Sequence, residues 1–273
     1  MSAERVSARW LALREPADAA ARASALVDEL RPRLPASGRL EIHDLGCGTG
    51  AMGRWLAPLL PGEQHWVLHD RDAELLNLAA ADAPGRGADG SAVTLETDRS
   101  DINVLEPGEL AEAALITASA LLDMLTAREL CDLLDLCAAA GCPALLTLSV
   151  TGRVELTPAD QLDARVAAAF NAHQRRATGR GTLLGPDAPA IAIEQLERRG
   201  AAVRVLPSPW RLGASDAELT AEWLQGWLWA AREQEPELSA ESEDYERRRR
   251  EEASAGRLRV TVGHADLLVL PVA

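Results

Sequence analysis

The chain has 273 residues, 47% of them hydrophobic, and a formal net charge of −14 in which all 28 basic residues are arginine. That length can bury the core of one α/β domain with additions, while the acidic balance argues against a nucleic-acid partner, because phosphate contacts need a basic face. There is no apolar run of the roughly eighteen residues that a membrane span needs, and the start, MSAERVSARW, is charged and lacks the apolar middle of a secretion signal, so a cytoplasmic location with no membrane partner is expected.

Taken in order, residues 1–34 set Trp10, Leu11, Leu13, Ala20, Ala23, Leu26, Val27 and Leu30 at helical spacing, broken by Pro16 and closed by Pro32 and Pro35. The pattern predicts two helices ahead of the first strand. Residues 39–53, RLEIHDLGCGTGAMG, follow. Leu40, Ile42 and Leu45 suit a buried strand of a parallel sheet, and the segment from Ala51 to Leu60 reads as a helix. Between them Gly46, Gly48 and Gly50 let a ligand lie against the main chain, with the free N–H groups of a helix start pointing at it.

Two ligand classes fit such a loop, since Gly48, Gly50 and Gly53 also satisfy the G-x-G-x-x-G pattern of dinucleotide binders. Asp44 favours the other class: a carboxylate at the strand's end repels a pyrophosphate and holds a cationic amino group. The run D-x-G-x-G-x-G over Asp44 to Gly50 resembles motif I of the class I S-adenosylmethionine-dependent methyltransferases. The resemblance implies S-adenosylmethionine as cofactor and a site of Asp44, Gly46, Cys47, Gly48 and Gly50, continued by Asp70 and Arg71, by Thr97 and Asp98, and by Ser119. It further implies N-terminal helices lying over the cofactor cleft, with Arg9, Trp10 and Arg14 turned to substrate.

His65 to Asp70 reads as a second strand ending in an acid, some twenty residues past the glycines. There an aspartate can take both ribose hydroxyls, or cap the helix Asp72 to Ala81. Ala92 to Thr97 reads as the third strand, and Asp98 after it takes the adenine amino group by the resemblance, with an N-cap role for Asp98, Ser100 or Asp101 competing. Ala113 to Ala120 reads as the fourth strand. Its exit carries Ser119 and Asp123, the latter a candidate to orient substrate or to cap the next helix. No Asn-Pro-Pro-Tyr-like motif stands there, which lowers the case for nucleic-base methylation. Leu130, Leu133, Leu134 and Cys137 make Thr126 to Ala140 an amphipathic helix ended by Gly141, and Pro143 to Val150 reads as the fifth strand.

The second half adds to this frame. Pro158 to Arg176 reads as a helix bearing His173, a candidate general base, and it runs into an arginine- and glycine-rich loop. Arg175, Arg176 and Arg180 there suit a carboxylate or phosphate on an acceptor, or complement the helix end. Ala190 to Arg199 reads as a helix and Ala202 to Leu206 as the sixth strand. The helix from Ser215 sets Trp223 and Trp227 one turn apart, packed or walling an acceptor pocket, with Trp229 on the opposite face. Glu237 to Gly256 reads as a helix whose RRRR run (247–250) forms a salt-bridged solvent face. Arg257 to Leu270 closes the chain as the seventh strand, bent at Gly263, with His264 at that bend either satisfied locally or reaching the site.

The expected fold is therefore α/β, a seven-stranded, mostly parallel, doubly wound sheet with helices on both faces. A helical cap over 1–38 precedes a domain over 39–273, with helical additions at about 155–200 and 214–256. The four cysteines contain no C-x-x-C pair and no histidine at ligand spacing, so buried thiols are expected and neither a disulfide framework nor a metal site. The lysine-free, alanine-rich composition is associated with GC-rich bacterial genomes. The function expected is methyl transfer to a small-molecule acceptor, by a chain for which a homodimer is one option, with His173 and Asp123 as catalytic candidates and Arg14, Arg175, Arg176, Trp223 and Trp227 as acceptor candidates. An NAD(P)-dependent oxidoreductase, an RNA methyltransferase and a non-catalytic cofactor-binding module are the alternatives.

Overall fold

Each apolar run that reads as a strand forms one, and these strands share a single sheet. The computed structural model describes residues 6–271. Helices α1 (Ala8–Ala21) and α2 (Ser24–Leu30) lead into β1 (Leu40–Leu45), α3 (Ala51–Leu56), β2 (Gln64–His69), α4 (Ala73–Ala81), β3 (Val93–Asp98), β4 (Leu115–Ser119), α5 (Ala127–Ala140) and β5 (Ala144–Thr157). Then come α6 (Asp163–Gln174), a two-residue hairpin of β6 (Ala177–Thr178) and β7 (Gly181–Thr182), α7 (Ala188–Arg198), β8 (Ala202–Pro207), β9 (Trp210–Leu212), α8 (Ala217–Gln234), α9 (Leu238–Ser254) and β10 (Arg259–Leu270).

The sheet runs β3-β2-β1-β4-β5-β10-β8, with β9 also paired to β10. Strands β3, β2, β1, β4 and β5 are mutually parallel, and β10 runs antiparallel to β5, β8 and β9. The sheet thus has eight strands where the apolar pattern predicts seven; the extra one, β9, is three residues long and follows Pro207 and Pro209, too short to leave a periodic signal. Order reverses between β1 and β4, and in open α/β sheets the crevice outside the carboxyl ends of the strands at that point receives ligands. Helix α5 ends on Gly141 at φ 65°, as its sequence predicts, but its start is capped by Thr126 in a capping box with Glu129 and not by Asp123. No helix among the described residues is long and apolar enough to cross a membrane.

Two expectations need correction. Pro16 does not break the first helix: α1 continues through it, and the break falls at Arg22, beyond which the Ala23 amide donates to the Asp266 carboxylate at 2.8 Å. An interior proline costs about 3 kcal/mol, which tertiary packing offsets here as Trp10, Leu13, Ala17 and Ala21 lie against the core formed by α6, α8 and β9. The fifth strand also runs on past Val150 to Thr157, paired with β10 as far as Arg259. Irregular register on either side of His264 and Ala265 bends this ribbon, and a side chain at Gly263 would strike Thr151 and Arg153.

The ribbon supports a separate core containing Trp223, Trp227, Trp210 and Tyr245. Trp223 and Trp227 stack at 5.1 Å, while Trp229 faces outward and is 50% exposed. Within the arginine run, Arg247, Arg248 and Arg250 do pair with acids at the surface, but Arg249 is buried. It donates to Asp163 at 2.6 Å, Glu252 at 2.7 Å and the Pro158 carbonyl at 2.7 Å, and lies over the Tyr245 ring. Removing one partner of a buried charge network strands the others, so Arg249→Met is expected to lower stability by about 3 kcal/mol, read as an earlier midpoint in urea.

Candidate active site

The glycine loop lies between β1 and α3, with Gly46, Gly48 and Gly50 all at left-handed φ of 68°, 55° and 81°. Only glycine takes three such positions at little cost. The amides of Gly46 and Cys47 donate to the His69 carbonyl, and the Gly48 amide donates to Asp70 at 2.9 Å. The other Asp70 oxygen accepts from the Asp72 amide at 2.9 Å, so this one carboxylate ties the ends of β1 and β2 together. Asp72, in turn, caps α4 by accepting from the Glu74 amide. Helix α1 lies over the loop: Leu11 sits above Gly48, and Glu15 accepts from Nε and Nη2 of Arg54, whose Nη1 donates to the Thr49 carbonyl.

Below the helix is a cavity of about 470 Å³, walled by the glycine loop, Asp44, Asp70, Arg71, Ser119, the turn Ser100 to Asn103, and the aromatic residues Trp10, Phe170, Trp210 and Trp223. Its floor holds two opposite charges. Asp44 is 1% exposed; one oxygen accepts from Thr117 Oγ1 at 2.7 Å and the other, Oδ2, has no partner among the described residues. Burial pushes its carboxyl up to about 7, against the pull of Thr117 and Arg22. Arg22 is 5% exposed, donates through Nη2 to Ser119 at 3.0 Å and lies over the Trp55 ring, and its Nε and Nη1 have no partner among the described residues. Burial lowers its pKa, although Asp18, Asp266 and Asp44 oppose the effect. Buried groups left unpaired in this way are costly unless something joins them.

Asp266 fastens the floor. Its carboxylate accepts from the Leu148 and Ala23 amides, each at 2.8 Å, and from the Ser208 hydroxyl. Leu148 and Ala120, both on the cavity wall, are non-glycine residues at left-handed φ of 56° and 52°. Such conformations cost about 1–3 kcal/mol each and gather at functional sites. His264 also faces the cavity, tilted against Trp210, with Nδ1 unpartnered among the described residues. Burial, aided by Arg14, pushes its pKa down to about 4, so the ring is neutral near pH 7.

A second cavity of about 580 Å³ opens beyond the first, between α6 and α8. Trp10, Asp123, Met124, Phe170, Gln174 and Trp223 line both and form the junction. His173, Arg176, Trp227 and Trp229 line only the outer one, where His173 meets Glu233 at 3.3 Å. Arg14 stands on the inner wall, held by Asp18 through two bonds and lying over Trp210.

The sites implied by the sequence are thus partly brought together. Asp44, Gly46, Cys47, Gly48, Asp70, Arg71 and Ser119 share the inner cavity. Gly50 lies beneath it and turns the chain into α3 with Ala79 against it. Thr97 and Asp98 do not reach the cavity: register pairs Asp98 with His69, whose Nδ1 it meets at 2.9 Å, and the wall is made by Ser100 to Asn103 instead. Arg175 is bound to Asp187 outside both cavities, and Arg9 pairs with Glu218 at the surface. His264 reaches the cavity wall from the bend at Gly263, one of the two readings its sequence allows, whereas Arg22 carries no local signal, because a lone arginine at a helix end comes to the wall only through long-range docking.

No family model matches the chain, and no curated protein matches it. Among solved structures it is similar to the mycolic acid cyclopropane synthase CmaA1, at 13% identity over 89% of this chain and 83% of that one, with a TM-score of 0.47. It is likewise similar to a magnesium protoporphyrin IX methyltransferase from Synechocystis PCC 6803, at 16% identity over 76% and 83% of the two chains, with a TM-score of 0.45. A geranyl diphosphate C-methyltransferase from Streptomyces coelicolor A3(2) is similar at 11% identity over 91% and 80%, with a TM-score of 0.45. The sheet order seen here, with an antiparallel last strand between the fifth strand and its neighbour, is that of the mostly parallel, doubly wound sheet that the sequence predicts.

Proposed function

We propose that the chain transfers a methyl group from S-adenosylmethionine to a small-molecule acceptor. The observation that carries this reading is the charged floor, where Asp44 Oδ2 and Arg22 Nε and Nη1 lie buried without partners among the described residues. An amino acid zwitterion matches them, its ammonium to Asp44 and its carboxylate to Arg22. A dinucleotide's pyrophosphate would meet Asp44 instead. Asp70, at the carboxyl end of β2, is the ribose acceptor, and Asp101 replaces Asp98 beside the adenine, with Ile102 against its face.

The bound cofactor supplies an electrophilic methyl on a sulfonium. The chain's share is placement: the glycine loop and Asp70 fix the nucleoside end, Asp44 and Arg22 fix the amino acid end, and the aromatic junction excludes water. Alignment of this kind lowers a displacement barrier by converting a bimolecular step to an effectively unimolecular one. The helical additions α6 and α8 wall the acceptor cavity.

Calorimetric titration with S-adenosylhomocysteine and, separately, with NAD tests the reading. Saturable heat is expected from the first and none from the second; heat from NAD alone would reject methyl transfer in favour of hydride chemistry.

A further inference from the structure

The junction between the two cavities contains one ionisable side chain, Asp123, among Trp10, Met124, Phe170, Gln174 and Trp223. No other side chain among the described residues bonds to its carboxylate. Of the nearby cations, Arg14 is held by two bonds to Asp18 and Arg180 by Glu129, while Arg176, on the wall of the outer cavity, donates to the His173 carbonyl and adds a positive field that Asp123 and Glu222 oppose. Glu222 adds a second carboxylate to the outer cavity, and the chain as a whole carries a net charge of −14. Aromatic faces around a single carboxylate favour a cation, which the rings attract through their quadrupoles and the carboxylate through charge.

Building on the methyl-transfer reading, we propose that the acceptor is an amine on an apolar, ring-bearing skeleton, its ammonium received at Asp123 between Trp10, Phe170 and Trp223 and its body filling the outer cavity beside Trp227 and Trp229. The acceptor ammonium gives one proton to the Asp123 carboxylate. The freed nitrogen lone pair then forms the bond to the methyl carbon as the carbon–sulfur bond breaks, and that electron pair stays on sulfur. The products are S-adenosylhomocysteine and the methylated ammonium, and Asp123 returns its proton to water. Burial lifts the Asp123 carboxyl to about 6, despite the opposing fields of Arg14 and Arg176, which makes it a stronger proton acceptor than an ordinary aspartate.

The test uses the full chain saturated with S-adenosylhomocysteine and three probes of one skeleton and different charge: tryptamine, tryptophol and indole-3-propionate. Calorimetry is expected to show tryptamine bound at least about tenfold more tightly than either other probe. In Asp123→Asn that preference is expected to vanish while affinity for S-adenosylhomocysteine stays within about twofold, which also reports that the variant is folded. Equal binding of amine and alcohol, preference for the carboxylate, no binding of any probe, or a preference that survives Asp123→Asn would each overturn the proposal. Failure of S-adenosylhomocysteine itself to bind wild type would instead overturn the cofactor reading beneath it.

Discussion

Asp44→Asn is expected to weaken S-adenosylhomocysteine binding about a hundredfold and to remove most of its pH dependence. The loss follows from deleting a charge-assisted bond to an ammonium in a buried site, worth about 1.5–3 kcal/mol, together with the field that the carboxylate supplies there. The pH dependence follows from the wild-type carboxyl titrating near 7 in the free protein. An ammonium requires the ionised form, so wild-type affinity falls as pH drops below about 7, by up to tenfold per unit. At alkaline pH the ligand's own α-amino group deprotonates and affinity falls again, leaving a maximum between. Stability of the free protein moves oppositely to what a salt-bridged aspartate gives. Between pH 4 and 7 the folded chain holds a proton on Asp44 that the unfolded chain has lost, so folding stability decreases as pH rises through that window. Above pH 7 the free Asn variant should therefore be the more stable one, by about 2–4 kcal/mol, and ligand should erase the difference. Thermal melts at pH 5 and pH 8, with and without S-adenosylhomocysteine, read each term; a variant less stable than wild type at pH 8 without ligand would contradict the assignment.

Arg22→Met should show the same opposition of signs. Methionine keeps the apolar stem against Trp55 and removes a guanidinium two of whose nitrogens are buried without partners among the described residues. The free protein is expected to melt higher or unchanged, while S-adenosylhomocysteine binds about ten- to a hundredfold more weakly for want of the carboxylate's partner. A residue that served the fold alone would lose stability and leave affinity untouched. Comparison with the decarboxylated ligand isolates the group concerned: wild type should bind it as weakly as the variant binds the parent compound.

What the sequence conveys well is what is local. The loop from Asp44 to Gly50 and the acid at Asp70 are legible because backbone angle, charge and strand end coincide within a few residues. Asp98 stands off the cavity wall for a non-local reason, the register of β3 on β2, fixed by neighbouring strands, which turns it to His69. Arg249 is hidden inside a run of like residues, and only the approach of α9 to Asp163 separates it from its exposed neighbours. Pro16 reads as a break because the packing that offsets it comes from α6, α8 and β9.

The hold of Asp266 on Ala23, and of Asp18 on Trp210, joins positions 243 and 192 residues apart. Contacts of such span are slow to form, because the closure entropy of a long loop must be met before they contribute anything. Arg22 sits directly between them on the chain, so the pocket floor is expected to close only when the last strand docks. Refolding followed by pulsed hydrogen exchange checks this: ligand binding that recovers before the amides of β10 are protected would contradict it.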